Sequence, residues 1–208
     1  MRVIIPFKLN NPKSRLSSIL SLDERRKLAE FMLQDVLDVV LKFTDNVIVL
    51  VPENTHLNLD VKVVEDKRDL NDAINARIEK DTAIIMSDLP LLNVRVLKNF
   101  LNCNGDIIIA PGRRGGTNML LIRDKRFKVS YHYGSFIKHV EIAKKLGLNV
   151  EIFDSFYASI DIDNEQDLLE LLIHGKGKKS YDFLLSIGFR LNLSNKEPTL
   201  VRVYHKPV

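Results

Sequence analysis

Residues 23–51 read DERRKLAEFMLQDVLDVVLKFTDNVIVLV, and the change of pattern inside this stretch decides the fold. Up to Phe43 the apolar residues recur at helical spacing (Leu28, Phe31, Met32, Val36, Val39, Val40), which predicts an amphipathic helix over 23–43. Ser21 before it, with Glu24 three residues on, makes a capping box. After Asn46 the helical period vanishes. VIVLV is apolar at every position, as a strand buried on both faces requires.

The same alternation extends along the chain. RVIIPF (2–7), VKVV (61–64), TAIIMS (82–87), DIIIAP (106–111), NMLLIR (118–123), NVEIF (149–153) and SIDID (159–163) read as strands. Helices are expected over 69–79, 93–101, 135–146 and 164–174. Strands apolar on both faces and separated by helices predict an α/β fold with a mostly parallel, doubly wound sheet. From 175 onward the character changes. GKGKKSYDFLLSIGF reads as a short helix, and FRLNLS with TLVRVYH as a terminal strand pair at a sheet edge or dimer contact.

Composition narrows the class. At 45% hydrophobic the chain of 208 residues can bury a real core. A net charge of +4, with acids and bases interspersed, argues against a nucleic-acid partner. The single cysteine, Cys103, excludes an internal disulfide and a multi-cysteine zinc site, and reads as a bystander thiol. No apolar stretch approaches the roughly 20 residues that span a bilayer. No signal-peptide pattern is visible either, so a soluble, cytoplasmic protein is expected.

In doubly wound sheets ligands bind beyond the carboxyl ends of the strands. After the first strand come Lys8, Lys13 and Arg15, either a cradle for a triphosphate or a solvated basic loop. After TAIIM comes SDLPLL, whose Asp88 is a candidate magnesium ligand or a helix cap. SIDIDN puts Asp161 and Asp163 two apart, on one face of a strand, a costly arrangement unless a cation lies between them. Asp163 alone also suits the cap of the helix beginning near 164. In APGRRGGTNMLLIR the glycines allow close approach of a ligand, Arg113 and Arg114 can neutralise anionic oxygens, and Thr117 and Asn118 add neutral donors. Gly134 and Ser135 open a helix, an anion-friendly terminus. His132 and His139 flank them, with surface or capping roles expected for both. Asn71 either reads a nucleobase edge or sits on a helix surface.

These segments, in this order, resemble the 2-phospho-L-lactate guanylyltransferases of archaeal coenzyme F-420 biosynthesis. The resemblance rests on PFKLNNPKSRL (6–16), SDLPLL (87–92), RRGGTNMLLIR (113–123), GSFIKH (134–139) and SIDIDNEQDL (159–168), and covers about residues 1–190. SDLP is shared with many nucleotide-sugar-type nucleotidyltransferases, whereas GGTN followed by GSF..H is more specific. The resemblance implies a Rossmann-like three-layer sandwich of the nucleotide-diphospho-sugar transferase type over 1–190, with 191–208 as a strand extension. It also implies a magnesium-dependent transfer of GMP from GTP to 2-phospho-L-lactate, with release of pyrophosphate. Asp88, Asp161 and Asp163 match the family's metal carboxylates, and Thr117 and Ser135 match positions holding the phosphorylated acid. Arg113, Arg114, Asn118 and Gly134 are grouped with the acceptor, and Lys8, Lys13, Arg15, Asn71 and Asp88 with the nucleotide. Lys8, Lys13 and Arg15 are the expected catalytic cations. One departure stands out: relatives often carry FGPGS where this chain has HYGS, so His132 replaces a glycine. A homodimer is expected from the apolar terminal strands. Alternatives stay open at this stage: another acceptor (phosphoenolpyruvate, a sugar phosphate or a molybdopterin), or a non-catalytic nucleotide-binding module.

Overall fold

The computed structural model describes residues 1–194 and 196–203. Seven strands form one sheet in the order β3-β2-β1-β4-β6-β5-β7. They are β1 (Arg2–Pro6), β2 (Val47–Pro52), β3 (Lys62–Asp66), β4 (Thr82–Ile85), β5 (Ile107–Pro111), β6 (Thr117–Ile122) and β7 (Val150–Ile152). All pairings are parallel except those of β6, which runs antiparallel to both β4 and β5. The sheet is therefore mixed but mostly parallel, as the apolar runs predict.

The two-faced burial is visible residue by residue. Val3 and Ile5 of β1 and Val47, Val49 and Val51 of β2 join one core. Ile4 and Leu50, between them, join a second core on the opposite face. The first core is covered by α1 (Leu22–Val40), α3 (Val94–Leu101), α6 (Glu165–His174) and α7 (Lys179–Ser186). Ala73 and Ile74 of α2 (Leu70–Asn75) and Ala143 of α4 (Ser135–Lys145) pack into the second. The expected capping box forms at the start of α1: Glu24 N–H donates to Ser21 Oγ, and the Glu24 carboxylate accepts from Ser21 N–H.

Three expectations are corrected. The helix predicted over 69–79 is helical only through Asn75. SIDID is not a strand: its first residue ends a short α5 (Phe156–Ser159), and residues 160–163 run without a strand partner among the described residues. The terminal pair, β8 (Phe189–Asn192) and β9 (Thr199–Arg202), forms its own two-stranded antiparallel sheet against α6 and α7 rather than extending the edge of the large one. Tyr204 and His205 of that predicted pair lie outside the described residues.

α7 starts without a side-chain cap of its own. Asp35, buried in the apolar stripe of α1, caps it from outside. Its carboxylate accepts from Lys179 N–H (2.7 Å), Ser180 N–H (3.0 Å) and Ser180 Oγ (2.5 Å). Asp35→Ala removes all three hydrogen bonds and leaves buried donors unpaired, so unfolding in urea should reveal a loss of about 1–3 kcal/mol.

Candidate active site

Strand order places the chemistry. The chain runs from β1 outward through β2 to β3, then returns to β4 on the other side of β1. The crevice beyond the carboxyl ends of β1 and β4 is thus a topological switch point. Because β6 is antiparallel, its first residues, Thr117 and Asn118, arrive at the same end of the sheet: Met86 N–H, just past β4, donates to Asn118 O at 3.0 Å.

The loop after β1 is held in an unfavourable backbone. Asn11 and Lys13 both adopt left-handed φ, 46° and 51°, at roughly 1–2 kcal/mol each for L-residues. Arg25 of α1 braces them, its Nη1 donating to Asn11 Oδ1 (2.8 Å) and to the Pro12 carbonyl (2.7 Å). Leu16, fully buried, anchors the turn that follows. The outcome is a defined position for one ammonium. Lys13 Nζ lies 2.6 Å from Asp88 Oδ2 and 2.9 Å from Asp163 Oδ1, and Arg15 Nη1 lies 2.9 Å from Asp163 Oδ2.

Asp161 completes the group. One carboxylate oxygen from each of Asp88, Asp161 and Asp163 lies within 4.8 Å of the others. Burial pushes the Asp161 carboxyl up, and the charges of Asp88 and Asp163 add to this. Burial also opposes the charge on Asp163, but Lys13, Arg15 and Arg114 outweigh it and hold that carboxyl below its usual range. For Lys13, burial favours the neutral amine, yet Asp88 and Asp163 turn the shift upward, so the ammonium keeps its proton. Three carboxylate oxygens this close together could hold a metal ion.

Although residues 160–163 are not a strand, their alternation survives. Ile160 and Ile162 are buried in the first core while Asp161 and Asp163 line the cleft. Ile162 N–H is tied to the Asp88 carbonyl at 3.1 Å, which joins the two acidic segments through the backbone. Asp163 does not cap α6. Asn164 does, and Asp167 reciprocates in a capping box. Asp167 also accepts from the Asp163 amide (2.7 Å) and from Arg113.

Two clefts meet at the carboxylates. One, of about 650 Å³, runs beneath the N-terminal loop past Leu50, Val51 and Asp69, and Lys8 lines it. The other, of about 580 Å³, is lined by Arg113, Arg114, Thr117, Gly134 and Ser135. Arg15, Asp88 and Asp163 line both.

Several predicted residues prove to be held by the fold itself. Asn118 donates to the Ala158 carbonyl (3.0 Å) and towards Asp161 Oδ1 (3.4 Å), so it steadies a carboxylate. Gly112 permits this, since a Cβ there would come within 2.2 Å of Asn118 Oδ1. Arg113 is drawn back onto Asp167 and the Asp161 carbonyl. Arg114, at φ 64°, is exposed and has no hydrogen-bond partner among the described residues. Asn71 does not line the first cleft. Its Oδ1 accepts from Tyr131 N–H at 2.6 Å and its Nδ2 lies 3.3 Å from His132 Nε2, so the amide expected to read a base is held by the segment around Tyr131. His132 is exposed on the rim of the second cleft.

His139 is a further correction. Far from being a surface group, it is fully buried on α4. Its Nδ1 lies 2.9 Å from Thr117 Oγ1, and Ser135 Oγ lies 3.2 Å from the same oxygen. Gly134, at φ 69°, turns the chain into α4 so that Ser135 reaches Thr117. Sequence reasoning also passed over Arg25 and Asp167. Of these only Asp167 had a local signal, the Asn164-Glu-Gln-Asp167 spacing of a capping box.

Comparison with known proteins identifies the family. The family described as "Guanylyl transferase CofC like" matches residues 1–206. The chain belongs to this CofC-like family. It is 56% identical over 203 residues (97% of this chain, 100% of the relative) to the 2-phospho-L-lactate guanylyltransferase of Ferroglobus placidus. It is 54% identical over 209 residues, covering the whole of both chains, to the enzyme of the same name from Archaeoglobus fulgidus. Among solved structures, a protein of Desulfovibrio desulfuricans G20 assigned to the nucleotide-diphospho-sugar transferases superposes with a TM-score of 0.74. It shares 17% identity, over 89% of this chain and 95% of the other. A nucleotidyl transferase from Methanothermobacter gives 0.56 at 15% identity, over 89% and 99%. These two establish the nucleotide-diphospho-sugar transferase type of fold for this CofC-like chain. No helix of the described residues is long and apolar enough to cross a membrane.

Proposed function

We propose that this protein is a magnesium-dependent guanylyltransferase that joins GMP from GTP to 2-phospho-L-lactate, giving lactyl-2-diphospho-5'-guanosine and pyrophosphate. The observation that carries the reading is the meeting of two clefts at one set of charges, since Arg15, Asp88 and Asp163 line both. A group-transfer enzyme needs such a seam, where a triphosphate on one side faces an acceptor on the other. The names of the relatives supply the substrates.

On this reading the cleft under the N-terminal loop takes GTP and the second takes the acceptor. The nucleophile is a phosphate oxygen of the acceptor. The second pKa of a phosphate ester is near 6, so at neutral pH it attacks without a general base. A bond forms from that oxygen to the α-phosphorus, the bond from the α-phosphorus to the bridging oxygen breaks, and pyrophosphate leaves. Lys13 and Arg15 neutralise the approach of anion to anion, and Lys8 meets the triphosphate from the cleft wall. Arg114, without a hydrogen-bond partner among the described residues, is the guanidinium available to the acceptor. Asp88, Asp161 and Asp163 would hold magnesium, which supplies Lewis-acid polarisation of the phosphoryl oxygens. The reading includes a cytoplasmic location and a homodimer, and sedimentation of the purified protein would test the dimer.

The deciding experiment is pyrophosphate release with magnesium, each nucleoside triphosphate being tried against 2-phospho-L-lactate and phosphoenolpyruvate. Release with GTP and 2-phospho-L-lactate is the expected result. Release confined to another pair would reassign the substrates while keeping the transfer reaction, and no release with any pair would overturn the phospholactate reading in favour of a sugar-phosphate-type acceptor or a binding module.

A further inference from the structure

Only one imidazole is buried among the described residues, that of His139, and the hydrogen bonds around it can be counted proton by proton. Its Nε2 lies 2.9 Å from the backbone N–H of Ser130, a group that can only donate. Nε2 must therefore be the bare nitrogen. Burial pushes the pKa of this ring down to about 4, so at neutral pH it carries one proton, and that proton sits on Nδ1. Phe127 and Tyr131 pack against the ring, with centroids 5.8 and 5.0 Å away, and fix its plane.

Nδ1–H then donates to Thr117 Oγ1 at 2.9 Å. The remaining contact, Ser135 Oγ to Thr117 Oγ1 at 3.2 Å, consumes one hydroxyl proton. Three donors (Nδ1–H and two hydroxyls) thus serve two contacts. One hydroxyl proton is left without an acceptor among the described residues, and both hydroxyl residues line the second cleft. The opposite tautomer would invert the count. Thr117 would donate to Nδ1, Ser135 to Thr117, and only lone pairs would face a ligand. The orientation of a single proton on His139 thus decides whether this wall attracts or repels an anion.

We propose that His139 is a positioning residue which, by holding its proton on Nδ1, makes the Thr117–Ser135 pair a net hydrogen-bond donor to an anionic oxygen of the acceptor. This rests on the second cleft being the acceptor's, as proposed above. The backbone amide of Ser130 is the origin of the polarity, and α4 transmits it to the cleft wall.

Two measurements test it. In protein labelled with 15N-histidine, His139 should appear as the Nδ1–H tautomer, and inorganic phosphate should perturb its Nδ1 resonance. The Nε2–H tautomer would overturn the proposal, whatever the substrate proves to be. In kinetics, His139→Gln keeps an acceptor for Ser130 but no donor for Thr117, whereas His139→Asn restores an N–H near the Nδ1 position. A charge-assisted hydrogen bond is worth about tenfold to a hundredfold in binding. His139→Gln should raise the KM for 2-phospho-L-lactate by that factor and leave the KM for GTP unchanged, with His139→Asn recovering most of the loss. Equal acceptor KM in the Gln variant, or parallel loss for both substrates in both variants, would show a merely structural histidine. If the wild-type protein did not turn over 2-phospho-L-lactate, the functional reading would fail while the tautomer measurement still decided this one.

Discussion

Asp88→Asn is expected to slow pyrophosphate release by about three to four powers of ten at saturating substrates. The figure follows from several kcal/mol of transition-state charge stabilisation assigned to a bound metal, at 1.36 kcal/mol per power of ten. The substitution is isosteric, and the side chain is only partly buried, at 25% exposed. The backbone carbonyl of residue 88, which holds Ile162 N–H, is untouched. The fold should therefore survive, and a thermal melt close to that of the parent would show it. What disappears is one charge from a carboxylate set that reaches both clefts. The remaining rate should require a higher magnesium concentration to saturate, because one of three anionic donors has become a neutral amide. A variant that turned over like the parent across the magnesium range would remove Asp88 from the metal site.

The sequence made the outline of this site legible because two of its signals are local. A strand buried on both faces must be apolar throughout, so VIVLV and TAII announce themselves, and the residues after them mark the carboxyl ends where ligands bind. Asp161 and Asp163 were readable through their spacing, even though the segment is not a strand. What their chemistry needs is extended backbone that alternates between core and cleft, and Ile160 and Ile162 enforce that alternation by burying themselves. The illegible part is the layer that holds these groups. His139 sits in a helix among lysines and a glutamate, and nothing nearby in the chain says that Phe127 and Tyr131 fold over it. Arg25 reads as one more charge in a polar first turn. It becomes a brace only because the left-handed residues Asn11 and Lys13 arrive beside it. Asn71 and Asn118 carried the right chemistry for ligand contact, yet in each the carboxamide is taken by the protein's own groups. Long-range partners decide such cases, and composition and spacing do not record them.

Lys13 presents the sharpest energetic question, because its ammonium stands among the carboxylates that would hold magnesium. Its side chain is 11% exposed and its Nζ touches both Asp88 and Asp163. If it served only to balance their charge, Lys13→Met would leave the carboxylates freer to bind a cation, and turnover would persist once magnesium was saturating. If it neutralises the triphosphate and the departing pyrophosphate, no amount of magnesium restores the rate. The proposed mechanism predicts the second outcome: kcat should fall by about a hundredfold to a thousandfold, the usual effect of deleting one preorganised donor to developing charge. The KM for GTP should rise and that for the acceptor should change little, while magnesium binding without nucleotide should strengthen. The backbone argues for the same conclusion. A left-handed lysine costs free energy that a simple counter-ion would not require, because a residue of ordinary φ could carry a flexible ammonium to the same carboxylates. The strain makes sense if it fixes where the ammonium stands relative to the nucleotide. Lys13→Arg should accordingly fail to rescue turnover, since a planar guanidinium does not fit a point-charge position between two carboxylates. Full activity in Lys13→Met at high magnesium would assign the residue to charge balance alone and return the leaving-group role to Lys8 and Arg15.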